Sequence, residues 1–272
     1  MTDLPVLGAA LMIAELEAFL PFLKEAPRDL ELQDFFKPDV LSGDWRPLVD
    51  HAKALLDGHE GRRGIHGPFL NFSLAIVDPE IRAVVNRRLH QGLDACEALG
   101  GTHMVIHSPF TTWASFHRLA GPTRESDIIS ACHDTIGDVV KRAENIGCTL
   151  VVENIEDIDP FARLRLVESF NSPAMALSID TGHAHYAHGH TGAPPVDYFV
   201  RAAGQHLAHV HLQDADSYAD RHWALGEGNI LWPSVFSALA ETDSQPRLII
   251  ELADAAGIPK SVAHLKALGL AQ

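Results

Sequence analysis

A chain of 272 residues, 46% of them hydrophobic, has the material for one large core and is about the size of a single α/β barrel. Its 21 Lys and Arg face 36 Asp and Glu, a formal charge of −15. A nucleic-acid backbone is therefore a poor partner, because that affinity rests on basic side chains displacing counterions. Cys96, Cys132 and Cys148 form no CxxC pair, which argues against a cysteine metal site and fits a reducing cytoplasm. The opening MTDLPVLGAALMIAELEAFL has no basic region and is interrupted by Glu15 and Glu17, unlike a signal peptide or a membrane span.

Short apolar runs alternate with longer amphipathic stretches along the whole chain. They predict strands at 5–11, 29–35, 63–69, 103–109, 149–155, 175–180, 207–213 and 247–253. Between and after them, helices are predicted at 13–25, 44–57, 78–99, 125–146, 159–170, 196–206, 232–241 and 257–268. Within 78–99, Ile81, Val84, Val85, Leu89 and Leu93 recur at helical spacing. Asp78 followed by Pro79 is an N-cap with proline in the first turn, and Gly100-Gly101 is a stop. Asp159-Pro160 repeats the opening device. The runs LVVENI and LIIEL are apolar at successive positions, as strands covered on both faces should be. No GxGxxG follows the first strand, which weighs against a dinucleotide-binding doubly wound sheet. The expectation is a single (β/α)8 TIM barrel, one domain over residues 1–272.

In such a barrel the active groups come from the C-terminal ends of strands and the loops after them. Nine potential metal ligands fall at those places: His66, His107, Glu153, Asp180, His183, His211, Asp220, His222 and Glu251. An ionisable group in an apolar run is costly to bury alone, so its recurrence in six successive segments predicts convergence on a divalent cation. Carboxylate oxygen and imidazole nitrogen without thiolate suit Zn²⁺, Mn²⁺, Fe²⁺ or Co²⁺. Glu153 and Glu251, late in covered strands, lead the set, and Asp180 and His183 share an Asp-Thr-Gly-His turn. His209 and His211 point to one strand face; His211, nearer the end, is assigned to the metal and His209 to a hydrogen-bonded interior layer below. His66 and His107 precede Gly67-Pro68 and Ser108-Pro109, as ligands or substrate contacts, while spacing alone reads Asp220 and His222 as a solvated pair. His185, His188 and His190 read as a solvated loop, and Trp113, Phe69 and Phe110 as pocket walls. Gly226-Glu227-Gly228 is a weak phosphate-loop signal.

Taken together, HGPFLNFSLAIVDPEIR, HMVIHSPF, LVVENI, SIDTGHAH, HVHLQD, DRHWALGEGNI and LIIELAD resemble the xylose isomerase-like TIM barrels over almost the whole chain. That family includes sugar and sugar-phosphate isomerases and epimerases, inosose dehydratases and the endonuclease IV type of abasic-site nuclease. Resemblance to the epimerase branch implies one cation held by Glu153, Asp180, His211 and Glu251. Resemblance to the endonuclease IV branch implies a trinuclear zinc site, and all nine of its ligand types have a counterpart here. The chain departs from that branch in reading ENIEDID where a Gly-rich stretch is usual, and in the short HLQDADSYADRH segment.

Two activities are expected. The first is isomerisation or epimerisation of a sugar, sugar phosphate or related ketone, with Glu153 and Glu251 moving a proton. His183 would then steady the enediolate, and Arg221, Trp113 and Phe69 would contact substrate. The alternative is phosphoester or phosphodiester hydrolysis at a multinuclear zinc centre. Net charge and short loops favour the first, and the extra histidines favour the second. Either way the expected cofactor is one to three divalent cations, zinc or manganese. The expected partner is a small sugar or phosphorylated molecule rather than nucleic acid or membrane, and barrels of this kind often form homo-oligomers.

Overall fold

The computed structural model describes residues 4–116 and 124–272. Strands β1 (Gly8–Leu11), β2 (Leu30–Leu32), β3 (Arg63–His66), β4 (His103–His107), β5 (Thr149–Glu153), β6 (Met175–Asp180), β7 (Leu207–Leu212) and β8 (Arg247–Ile250) pair in parallel and in chain order. β8 returns to β1, so the barrel closes as the alternation predicts. Around it run α1 (Leu16–Lys24), α2 (Pro38–Ser42), α3 (Arg46–Leu55), α4 (Pro79–Leu99), α5 (Thr112–Phe116), α6 (Glu125–Asn145), α7 (Pro160–Ser169), α8 (Thr181–Thr191), α9 (Val196–Ala203), α10 (Trp232–Glu241) and α11 (Ile258–Ala267). Among the described residues no helix is long and apolar enough to cross a membrane.

The strands bury successive residues because the helices cover one face and the barrel interior the other. Val105, Ile106, Leu150, Val151 and Val152 are all buried. α4 begins where the sequence places it: the Asp78 carboxylate accepts the Glu80 and Ile81 amides, and Gly100 ends the helix at φ 73°. Its buried stripe starts at Val85, leaving Ile81 and Val84 exposed.

Three local departures matter for the site. β2 stops at Leu32 because residues Asp34–Phe36 turn into a 3-10 helix, with the Asp34 carboxylate accepting the Ile13 amide at 2.7 Å. β3 stops at His66, where Gly67 passes so close to β4 that a Cβ would sit 2.6 Å from the Val105 carbonyl oxygen. Residues 181–191, expected as a solvated loop around three histidines, form helix α8 instead. The Asp180 carboxylate caps it by accepting the His183 amide at 2.7 Å, and Gly192 closes it at φ 75°.

One buried ion pair ties the mouth of the barrel to its wall. Arg163 on α7 is 1% exposed; its guanidinium donates to the carbonyls of Val152 at 2.7 Å and of Ser178, and its Nε lies 3.0 Å from Asp157. Asp157 also accepts the Ser108 hydroxyl at 2.9 Å, which joins the ends of β4, β5 and β6. Replacing Arg163 with Met leaves Asp157 and two carbonyls buried without their donor. It should lower unfolding stability by about 3–5 kcal/mol in urea titrations, and a loss within measurement error would contradict this assignment.

Candidate metal centre

Parallel register carries the predicted ligands to one rim. His66, His107, Glu153 and Asp180 each end a strand, His211 is the penultimate residue of β7, and Glu251 follows β8 directly. His107 lies opposite Glu153, and Asp180 opposite His211, in adjacent strands. All nine residues converge in three groups whose ligand atoms lie within 4.8 Å of one another: His66, His107 and Glu153; Glu153, Asp180, His211 and Glu251; and His183, Asp220 and His222. Glu153 belongs to two of them.

In the first group, Glu153 Oε2 stands 3.4 Å from His107 Nε2 and 3.7 Å from His66 Nε2. His66 turns Nδ1 to the Gly67 carbonyl at 3.0 Å, which leaves Nε2 facing inward. Phe69 stacks on the His107 ring at 4.1 Å and meets the His66 ring edge-on. In the second, His211 Nδ1 lies 2.7 Å from Glu153 Oε1 and 3.3 Å from Glu251 Oε2. In the third, Asp220 sits between His183 Nε2 and His222 Nε2, 3.2 Å from each. His183 Nδ1 faces the Asn154 carbonyl at 2.9 Å, so the same backbone device orients it.

The protonation states follow from these neighbours. Burial would raise the Glu153 pKa, but His211, His66 and His107 more than reverse this and hold it well below the ordinary carboxylate range. For Asp180 burial prevails, reinforced by Glu153 and Glu251 against His183 and His222, and its pKa rises to about 6. Burial also dominates at His107, pushed down to about 3, so its imidazole is neutral and in the ligating form. At His222 burial is overcome by Asp220, Asp180 and Glu251, which raise its pKa to about 9.

Two buried carboxylate oxygens, Glu153 Oε2 and Asp180 Oδ2, have no hydrogen-bond partner. Burying a charged acceptor unsatisfied costs several kcal/mol or more. Divalent cations would remove that cost, and a set of carboxylate oxygens and imidazole nitrogens suits zinc or manganese. The residues present fit such a group.

Sequence reasoning missed Glu31 and Gln33. Glu31, 2% exposed, faces His209 Nε2 at 3.0 Å and His211 Nε2 at 3.1 Å. Gln33 donates to both Glu31 and Glu251. The signal was present, since Glu31 stands between Leu30 and Leu32 much as Glu153 ends an apolar run. Gln213 was missed as well; its amide donates to Asp180 and Asp220 and its carbonyl accepts the His222 amide. The same side chain is why residue 182 is glycine, as a Cβ there would fall 2.2 Å from Gln213. His209 lies in the interior layer expected of it, with Nδ1 3.0 Å from the Ser178 hydroxyl.

Several expected contacts lie elsewhere. Arg221 pairs with Asp216 at 2.9 Å and lies over Tyr218 and Trp223, so its guanidinium is engaged away from the ligands. Trp113 is 68% exposed on α5. His185 pairs with Asn229 and His188 with the Ala193 carbonyl, and neither joins a ligand group. Nor does the 226–228 loop offer itself to a phosphate. The Asp214 carboxylate occupies its centre, accepting the Gly226 and Ile230 amides and the Trp232 indole. Two cavities flank the centre. One of about 160 Å³ includes Phe69, Phe72, His107 and Phe110 in its wall, and one of about 210 Å³ includes Met12, Gln33, His222 and Glu251.

Comparison with known proteins identifies the family and the fold. A family profile described as xylose isomerase-like TIM barrel matches residues 30–268. An uncharacterised protein of Methanocaldococcus jannaschii is 24% identical over 203 residues, 71% of this chain; the chain spans 65% of that relative's length. Among solved structures, the TTHB071 protein of Thermus thermophilus, soaked with zinc chloride, has a TM-score of 0.72 at 26% identity, covering 96% of this chain and 97% of that one. A D-tagatose 3-epimerase-like protein has a TM-score of 0.75 at 21% identity and 96% coverage of both chains, a likeness of fold.

If the third group is a separate seat, replacing Asp220 and His222 together with Ala should remove one equivalent of bound zinc and spare the rest. Elemental analysis after exhaustive dialysis measures this, and unchanged zinc content would refute a separate seat.

Proposed function

We propose that this chain, which belongs to the xylose isomerase-like TIM barrel family, is a divalent-metal-dependent hydrolase of small phosphoesters with a multinuclear centre. The observation that carries this reading is the position of Glu153. It is 1% exposed; Oε1 meets His211, and Oε2, without a hydrogen-bond partner, faces the gap between His66 and His107. A carboxylate so placed, buried with an oxygen turned to each of two ligand groups, suits a member shared between them better than a base open to substrate.

The residues then divide as follows. His66, His107 and Glu153 would hold one cation, Asp180, His211 and Glu251 with Glu153 a second, and His183, Asp220 and His222 a third. Bound there, divalent cations supply Lewis acidity, lowering the pKa of water and drawing charge from a phosphoryl or carbonyl oxygen. Glu251 is the more open of the two glutamates at 14% side-chain exposure. Phe69 and His107 wall the cleft and exclude solvent on one side.

Charge supports the same choice. Three divalent cations against Glu31, Glu153, Asp180, Asp220 and Glu251 would leave a positive centre that attracts a phosphate; a single cation would leave a negative one that repels it. The molecule's net charge of −15 restricts the substrate to small phosphorylated molecules rather than a polynucleotide.

A second reading, sugar isomerisation or epimerisation, has its own support. Glu153, Asp180, His211 and Glu251 form a complete four-ligand group without the other five residues. The fold is shared with a D-tagatose 3-epimerase-like protein. In that reading Glu251 moves the proton at one face of the substrate, and Glu153 has to swing out of its buried position to serve the other.

The two are separated by metal content and by reaction. The hydrolase reading expects close to three equivalents of zinc or manganese in active protein, phosphate release from a panel of small phosphomonoesters and diesters, loss of activity in dipicolinate and recovery on returning the metal. One equivalent, together with deuterium from D2O entering the carbon beside a ketose carbonyl, would overturn it in favour of the isomerase.

A further inference from the structure

β2 contributes none of the nine ligands, yet its end reaches the middle of the site. Glu31 lies in the barrel interior, and its ion-pair partners among the described residues are His209 and His211. Its two oxygens stand 3.1 and 3.2 Å from His211 Nε2. An ionised carboxylate can only accept, so it requires the imidazole proton at Nε2. The other nitrogen, Nδ1, faces Glu153 Oε1 and Glu251 Oε2, where a cation would take the place of its proton. Gln33 acts on the other ligand of the same group: its Nε2 donates to Glu31 Oε1 at 2.8 Å and to Glu251 Oε1 at 2.7 Å. Held by Oε1, Glu251 presents Oε2 to His211 and His222.

We propose that Glu31 and Gln33 form a buried clamp that fixes the tautomer of His211 and the rotation of Glu251 for the cation of the second group. Both are positioning residues, and the inference rests on the metal-centre reading above. Its selectivity is built in. His66 and His183 are oriented by the backbone carbonyls of Gly67 and Asn154, so the first and third groups keep their own supports when the clamp is removed.

The test is a zinc competition titration of the full chain against a chromophoric chelator, independent of turnover. In Glu31→Gln the side chain keeps its shape and loses the obligate acceptor. One zinc ion should weaken by about 10–100-fold, the usual effect of removing an outer hydrogen bond to a ligand. The others should hold, and the number bound at saturation should not change. Ser178→Ala is the control, because it removes the hydrogen bond to His209 in the same interior layer without touching His211. It should leave every affinity unchanged. Should Glu31→Gln fail to fold, Gln33→Met reads the same ion through Glu251 and should weaken it several-fold.

Unaltered zinc affinity in the folded variant would overturn the clamp and leave the hydrolase reading standing. So would equal weakening of all ions, which marks a general loosening, or loss of a whole equivalent at saturating zinc, which makes Glu31 a ligand. A wild-type chain without tight zinc would overturn both readings together.

Discussion

A buried charge needs a partner, and the mouth of this barrel is organised by that requirement. Glu31, Glu153, Asp180, Asp220 and Glu251 converge within a few ångströms of six histidines. Three of the imidazoles are held between a carboxylate and a second group that sets their direction: a backbone carbonyl for His66 and His183, Glu31 for His211. Taking any one of these charges out of water is costly; carboxylate–imidazole contacts offset much of that cost, and the unpartnered oxygens of Glu153 and Asp180 are where a cation would offset the rest. Parallel strand register makes the gathering cheap in conformational terms, because six of the nine candidate ligands sit at or near a strand end and the ends share a rim.

The supporting layer is as specific as the ligands. Asn154 takes the Asp180 amide and donates to its carbonyl, which locks the ends of β5 and β6 together beneath two of the groups. Gln213 spans Asp180, Asp220 and the His222 backbone, joining the second group to the third. Such side chains carry no charge, yet they decide which oxygen of a carboxylate faces the cleft.

The barrel and the convergence of the nine candidate ligands were legible because both follow from local rules. Apolar runs with a carboxylate or imidazole at the end announce strand, burial and convergence at once, as in LVVENI and SIDTGH. Asp220 and His222 were legible through resemblance alone, since their polar loop has no periodicity. What stayed hidden depends on partners distant in sequence. Glu31 gains its meaning from His211, 180 residues away, and Gln33 from Glu251, 218 residues away. α8 was misread because its histidines suggested a loop, whereas the cap at Asp180 and the buried Ala184 and Ala187 start and anchor a helix. Arg221, expected to contact substrate, pairs instead with Asp216 across a turn at Ser217, φ 63°.

The Asp214 carboxylate, which fills the 226–228 loop, has a kinetic consequence. It draws together the Gly226 and Ile230 amides and the Trp232 indole, while its backbone pairs with Trp223 and the His222 carbonyl receives the Ala253 amide. The segment carrying Asp220 and His222 is thus stapled at both sides by the protein itself. An ion arriving at the proposed third position would meet a seat whose ordering is already complete, so its capture would be a matter of dehydration and proton displacement rather than of folding a flap around the guest.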